Sequence, residues 1–241
     1  WTSHAHHADW VFALVRTSTE GKKQEGISFL LIDMSTPGLE VKPIISMDGG
    51  HYLNEVFFVD VKVPVTNRIG EENMGWTYAK YLLGHERTGI AGVAKSKRKL
   101  EKLKEIAGLE QDSGEPLIDD PDFKSRVANV GIKLQALEIT NLRTLSAVSA
   151  GKSPGDASSI LKIRGTEVEQ ELNELLVWAM GYYAHPYQPG RLFNQQTNMI
   201  PVGPDHAVGL MEERLLRRAA SIYGGSNEIQ KNIIAKAIMG L

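Results

Sequence analysis

The sequence predicts an α+β fold in which a partial β-sandwich or barrel is followed by an up-and-down helical bundle. Short apolar runs separated by glycine- and proline-containing turns fill roughly the first 70 residues, a pattern typical of antiparallel strands. The apolar spacing then changes to that of a helix near Asn73. We therefore expect a β-domain over residues 1–72 and a helical bundle over residues 73–241.

Four strands are predicted in the β-domain from runs of apolar, β-branched or aromatic side chains. They lie at residues 10–15, 27–32, 40–45 and 56–63. Polar and glycine-rich turns separate these runs, and Pro64 ends the region because a proline cannot donate to a strand ladder.

The helical half shows apolar residues at helical spacing between polar connectors. One stripe starts at Trp76 and is predicted to continue to Ala94. A long helix follows the connector at residues 110–121, and its near-heptad stripe is typical of bundle core. That stripe consists of Phe123, Val127, Val130, Leu134, Leu137, Leu145 and Val148. The remaining helices are predicted at residues 160–180, 207–223 and 227–239, with an irregular loop at residues 182–205.

Composition excludes several classes of function. The 241 residues carry a formal net charge of −2, so no long-range attraction for nucleic acid is expected. No apolar window approaches the ~18 residues of a membrane span, and there are no cysteines for disulfides or thiolate ligands. The chain starts Trp-Thr-Ser-His, and we interpret it as a fragment of a longer protein.

A glycine-rich turn near the C-terminus is the most informative motif, at Tyr223-Gly-Gly-Ser-Asn-Glu-Ile-Gln230. Glycine suits the left-handed residue after a helix, and Ser or Asn caps the next helix, whose N-terminus can bind an anion. Together with Asn232-Ile-Ile-Ala235, this segment resembles the C-terminal signature of acyl-CoA dehydrogenases, which are flavoenzymes. Other motifs that resemble this family lie at residues 1–3, 8–10, 38–43, 54–58, 61–64, 67, 70–75 and 86–91.

The resemblance implies the middle β-domain and C-terminal helical domain of that family, without its N-terminal helical domain. It implies an FAD-dependent oxidoreductase acting on CH–CH bonds in fatty acid β-oxidation, converting an acyl-CoA to the 2,3-enoyl-CoA. Electrons would leave to an electron-transferring flavoprotein. Residues 221–231 are similar to the tail of large subunits of pimeloyl-CoA-type dehydrogenases.

The family resemblance also implies a homo- or heterotetramer, centred on the helical half. The last predicted helix is apolar on one side, at Ile229, Ile233, Ile234 and Ile238, and another copy or a related subunit should cover that stripe. We expect a bacterial cytoplasmic location in preference to the mitochondrial matrix.

The base that removes the α proton is the first question that the resemblance raises. The commonest family position follows the signature Tyr and is occupied here by Gly224, which cannot accept a proton. A minority of the family places the base in a Glu-Arg pair, which Glu86-Arg87 matches. We therefore expect Glu86 to be the base and Arg87 to orient it or line the substrate pocket. The alternative is that the two residues form a structural ion pair.

Cofactor contacts are implied at both ends of the chain. Trp1 and Ser3 match the family's strand beside the isoalloxazine ring, and Ser226 and Glu228 match positions near the adenine end of the flavin. The Arg-x-x-Phe-Gly motif of many members is missing here. No metal site is expected, because the histidines at the start of the chain lack a third-ligand pattern.

Two other functions stay open from the sequence alone. Gly224 and the missing arginine motif favour a non-catalytic or half-site subunit of a heteromeric dehydrogenase, which would bind FAD or only a partner. A helical scaffold without a cofactor is the third hypothesis.

Overall fold

The computed structural model describes residues 1–86, 89, 91–152, 157–192, 197–237 and 239–241. The chain divides into two compact units, Trp1–His85 and Glu86–Leu241. The first unit contains the main β-sheets and the second contains most of the helices, so the predicted α+β class is confirmed. The domain limits at residues 72 and 73 stay a prediction.

The first unit contains two antiparallel sheets of three strands each, and the described strands form no closed barrel. One sheet has the order β1-β5-β4 and the other the order β2-β3-β6. The strands are β1 Thr2–Ser3, β2 Trp10–Arg16, β3 Ile27–Asp33, β4 Leu39–Ile45, β5 His51–Phe58 and β6 Arg68–Ile69, and helix α1 covers Gly75–Glu86.

The fourth predicted strand is wrong in its position. Strand β5 covers His51–Phe58 and pairs with β4 up to the Leu39–Phe58 pair, instead of covering residues 56–63. The ladder stops there because Asp60 has a φ of 52°, a left-handed conformation that an extended strand does not allow. The alternating valines at residues 59–63 resembled a strand, yet Val59 is 66% exposed.

The second unit is a helical bundle with one small hairpin. Helix α2 packs on α3 and α4, and α4 also packs on α5 and α6. Its core is almost fully buried and includes Leu103, Phe123 and Leu172, each 0% exposed. The helices are α2 Val93–Leu109, α3 Pro121–Ser149, α4 Ala157–Met180, α5 Leu210–Arg217 and α6 Asn227–Ala237, and the hairpin strands are β7 Gln111–Asp112 and β8 Glu115–Pro116.

Two helices predicted as continuous are interrupted by left-handed glycines. Gly92 has a φ of 57° at the start of α2, so the stripe that begins at Trp76 does not continue as one helix. Gly209 has a φ of 80°, and a 3-10 turn at Arg218–Ser221 follows α5. The predicted helix over residues 207–223 is therefore reduced to Leu210–Arg217, because Gly209 leaves the α-helical region at one end and 3-10 hydrogen bonding replaces the α-helical pattern at the other.

Helix α3 begins where the sequence predicts, but the apolar residues near its end are not buried as predicted. The Asp120 carboxylate accepts a hydrogen bond from the Phe123 N–H at 2.7 Å, and Pro121 occupies the first turn. The predicted stripe is buried from Phe123 to Leu137. Leu145 and Val148 are 41% and 38% exposed, so their assignment to the bundle core is wrong.

Gly165 on α4 allows a close backbone approach, and this predicts a stability effect. A Cβ at Gly165 would lie 2.7 Å from the carbonyl oxygen of Ala91, which is 2% exposed. Gly165→Ala should therefore lower the free energy of unfolding by about 1–3 kcal/mol, measured by urea denaturation. The control is Gly131→Ala, because a Cβ there would lie 3.8 Å from Leu100 Cδ2. Equal stability of both variants would contradict this tight contact.

Candidate functional site

The glycine pair of the C-terminal signature has the backbone that the sequence predicts. Gly224 and Gly225 have φ values of 63° and 78°, both in the left-handed region. A Cβ at Gly225 would overlap the side-chain amide of Gln230, one turn into α6. Gly224 therefore favours glycine because of its backbone angle. Gly225 favours glycine because of its backbone angle and because a side chain would meet Gln230.

Ser226 and Glu228 form the first turn of α6. Ser226 Oγ accepts a hydrogen bond from the Ile229 N–H at 3.3 Å, so this serine caps the helix. A backbone N–H hydrogen bond is the largest cause that lowers the pKa of Glu228, aided by the Ser226 hydroxyl and opposed by desolvation. The turn therefore presents an ionised, exposed carboxylate beside a half-buried hydroxyl.

A buried lysine lies beneath this turn, and sequence reasoning missed it. Lys162 on α4 is 0% exposed and donates to Asn227 Oδ1 at 2.8 Å. Thr166, also buried, lies within 3.4 Å of the same oxygen. Burial lowers the pKa of Lys162, and Glu228 opposes that shift. The signal in the sequence was a lone lysine among the apolar residues that begin a helix.

Tyr223 is held from the other side by α5. Burial lowers the pKa of Arg217, but Glu169, a hydrogen bond with Tyr223 and Glu213 together raise it above its ordinary value. Arg217 Nε lies 3.2 Å from Glu169 Oε1. Glu213 in turn accepts a hydrogen bond from the buried Lys99 at 2.9 Å. The signature tyrosine is thus connected to an ion-pair network that joins α2, α4 and α5.

The chemistry of this turn fits the adenosine end of FAD better than its diphosphate. An ionised Glu228 can accept hydrogen bonds from ribose hydroxyls or an adenine amino group but would repel a phosphate. Gln230 Oε1 is a further acceptor, buried without a hydrogen-bond partner among the described residues. These residues therefore fit the group that the sequence implies.

Trp1 and Ser3, the residues predicted to contact the flavin ring, lie in the first unit. Trp1 is 85% exposed, and Ser3 is exposed on the short strand β1. Strand β1 pairs with β5 through Thr2–Asn54 and Ser3–Leu53. Ser226 and Glu228 belong to the second unit.

The Glu-Arg pair falls at the junction of the two units. Glu86 is the last residue of α1, but its side chain lies outside the described part of the structure. Arg87 lies outside the described residues altogether. The roles of Glu86 and Arg87 therefore stay predictions.

Two features are missing from the described residues. No group of three or more His, Cys, Asp or Glu side chains there could hold a metal ion. No described helix has the length and apolar character that crossing a bilayer requires.

Similarity to known proteins covers the whole chain. A family model for the acyl-CoA dehydrogenase C-terminal domain matches residues 73–239. Acyl-CoA dehydrogenase FadE26 of Mycobacterium tuberculosis is 34% identical, over 100% of this chain and 59% of that protein. Acyl-CoA dehydrogenase IpdE1 of Mycolicibacterium smegmatis is 30% identical, over 100% of this chain and 56% of that protein. The chain thus spans a little over half the length of these relatives.

Solved structures show the same fold. The crystal structure of the ChsE4-ChsE5 complex from Mycobacterium tuberculosis matches with a TM-score of 0.81 and 30% identity, over 100% of this chain and 59% of that one. The structure described as the Tcur3481-Tcur3483 steroid ACAD matches with a TM-score of 0.82 and 25% identity, over 100% of this chain and 58% of that one.

Proposed function

The chain belongs to the acyl-CoA dehydrogenase family, and on that premise we propose that the full-length protein oxidises an acyl-CoA thioester to the 2,3-enoyl-CoA. The observation that carries this proposal is the signature turn, whose two left-handed glycines lead into a capped helix. Its hydrogen-bond acceptors, the Glu228 carboxylate and Gln230 Oε1, fit the adenosine end of FAD. When bound, FAD supplies the oxidising power by accepting a hydride from the substrate Cβ.

Glu86 is the residue we propose for removal of the α proton. Gly224 has no side chain to accept a proton, so the base must come from another position. Glu86 is the last residue of α1, and in sequence it matches the Glu-Arg pair in which a minority of the family carries its base. Arg87, the next residue, would orient that carboxylate or line the pocket for the acyl-CoA.

The chain's own residues would hold the flavin at two places. Ser226 and Glu228 would accept hydrogen bonds from the adenosine end, with α6 fixed by the Lys162–Asn227 contact. Trp1 would cover a face of the isoalloxazine ring, and the Ser3 hydroxyl would donate to it. An electron-transferring flavoprotein would receive the electrons. The cytoplasmic location stays a prediction.

An anaerobic titration of the full-length protein tests this function. We expect the purified protein to show the visible flavin band and expect an acyl-CoA to bleach it. The panel should contain straight-chain and steroid side-chain acyl-CoAs, because one similar structure is described as a steroid ACAD. A protein without a flavin band, after reconstitution with FAD, would contradict the proposal.

A second candidate is a subunit that needs a partner for catalysis. It is favoured by Gly224 and by the similar ChsE4-ChsE5 structure, which is described as a complex. In that case the flavin of the isolated protein would not bleach with any acyl-CoA. Bleaching would appear only after a related subunit is added.

A further inference from the structure

Asn54 is a buried amide at the point where β1 meets β5. The residue is 0% exposed and pairs in register with Thr2. Its Nδ2 donates to the Thr2 carbonyl oxygen at 3.0 Å and lies 3.1 Å from His6 Nδ1. Its Oδ1 lies 2.8 Å from His51 Nε2. The Asn54 side chain therefore connects the short strand β1 to two histidines, His6 and His51.

These contacts determine the protonation of His6. A carbonyl oxygen only accepts, so the NH₂ group of Asn54 must face Thr2, and the same group then faces His6. His6 Nδ1 must accept, which requires an unprotonated Nδ1 and a neutral ring. His51 Nε2 faces the Asn54 oxygen and must donate. Of these two imidazoles, only that of His6 therefore has to stay neutral.

The surroundings of His6 oppose its protonation. Its ring stacks on His51 with centroids 3.9 Å apart and lies 4.0 Å from the ring of His7. Burial lowers the pKa of His6, and the charges of His51, His7 and His4 lower it further. No carboxylate is among the groups that shift this pKa.

Charged groups on β4 and in the turn before β5 are engaged elsewhere. On β4, Lys42 and Glu40 lie 3.4 Å apart. Asp48, in the turn before β5, accepts a hydrogen bond from the Ser46 hydroxyl. A proton on His6 would thus gain no anionic partner from these groups.

We propose that Asn54 and His6 form a proton-sensitive clamp that positions the Trp1–Ser3 segment for FAD and releases it in acid. A proton on His6 Nδ1 would place one donor against another, so Asn54 would lose either its contact with His6 or its contact with Thr2. Strand β1 contains only two residues, and loss of the Thr2 contact removes a large part of its attachment. The consequence for FAD rests on the proposed function, whereas the clamp itself does not.

The sign of the pH effect follows from the lowered pKa. The unfolded chain has the ordinary histidine pKa of 6.5, and the folded value is lower. The unfolded or released state therefore binds more protons, and the clamp is fully present above pH 6.5. It is lost as the pH falls from 6.5 through the folded pKa.

The test compares wild type, His6→Asn and Asn54→Leu in the full-length protein. Asn places an oxygen acceptor where His6 has Nδ1 but cannot be protonated. The FAD dissociation constant is measured by flavin fluorescence between pH 5 and pH 8. Hydrogen exchange of residues 2–8 is measured in the FAD-free protein over the same range, as protection relative to the intrinsic rate.

We expect wild type to bind FAD more weakly at pH 5 than at pH 8, because the released segment takes up a proton on His6 that the clamped state excludes. His6→Asn should bind FAD equally at both pH values, and Asn54→Leu should bind weakly at both. His185→Asn is the control, because His185 is an exposed histidine of the second unit, and it should keep the acid loss.

The outcomes separate the clamp from the proposed function. If wild type binds no FAD, the proposed function fails, and hydrogen exchange alone decides on the clamp. Loss of protection at residues 2–8 in acid, seen in wild type and absent in His6→Asn, supports it. Identical pH profiles of exchange in wild type and His6→Asn would overturn it.

Discussion

Replacing Glu86 by Gln is expected to slow flavin reduction by an acyl-CoA by about 10²-fold or more while leaving FAD bound. The amide has nearly the same size as the carboxylate but cannot accept the α proton. Gly224 cannot replace it, because glycine has no side chain. The measurement is single-turnover bleaching of the flavin band under anaerobic conditions, with the FAD content of both proteins determined first.

A second substitution, at Gly224, tests whether a carboxylate at the other base position of the family restores flavin reduction. Gly224→Glu in the Glu86→Gln background restores a carboxylate but forces a side chain into a φ of 63°, which costs about 1–2 kcal/mol. We expect part of the lost rate to return. Gly224→Ala in the same background imposes the same strain without a carboxylate, so its rate should stay low.

Unchanged reduction in Glu86→Gln would remove Glu86 from the mechanism. The partner-subunit function would then be the better explanation of this chain. Loss of FAD in that variant would indicate a structural role for Glu86, which is the ion-pair alternative.

The strands show what local pattern can predict. Strands β2 and β3 lie where the apolar runs predict them, because turn residues bound both runs. Strand β5 lies several residues before its predicted position because the left-handed Asp60 ends the ladder. A positive φ at a residue other than glycine leaves no clear mark in a single sequence.

The sequence predicts those parts of the candidate site whose backbone conformation depends on neighbouring residues. The Gly224–Gly225 turn and the Ser226 cap follow from residue types alone. Lys162 and Asn54 could not be found in this way, because their partners lie 65 and 52 residues away in the sequence. Their role depends on tertiary contacts, which apolar periodicity does not encode.

An apolar stripe on the outer side of α3 predicts the second large effect, which concerns association. We call it the outer face of α3, and its residues are between 53% and 65% exposed in the described chain. It consists of Ile132, Ile139 and Leu142. A face of this kind is typical of an interface. The final helix also contributes, since Ile229 is 52% exposed, whereas Ile238 lies outside the described residues.

Changing Ile139 and Leu142 to Lys together should dissociate the oligomer of the full-length protein into smaller species. Each lysine would be buried without a partner when subunits associate, and an uncompensated buried charge costs about 3–5 kcal/mol. A loss of 4 kcal/mol weakens association by about 10³-fold. Because both residues are more than half exposed within one chain, the fold of the subunit should persist in circular dichroism.

Sedimentation velocity at micromolar concentration provides the measurement. The matched control is Leu109→Lys, because Leu109 is 69% exposed at the end of α2 and does not belong to the outer face of α3. The control should sediment like wild type. If the double variant also sediments like wild type, the outer face of α3 is not the interface, and the stripe on α6 becomes the next surface to test in the same way.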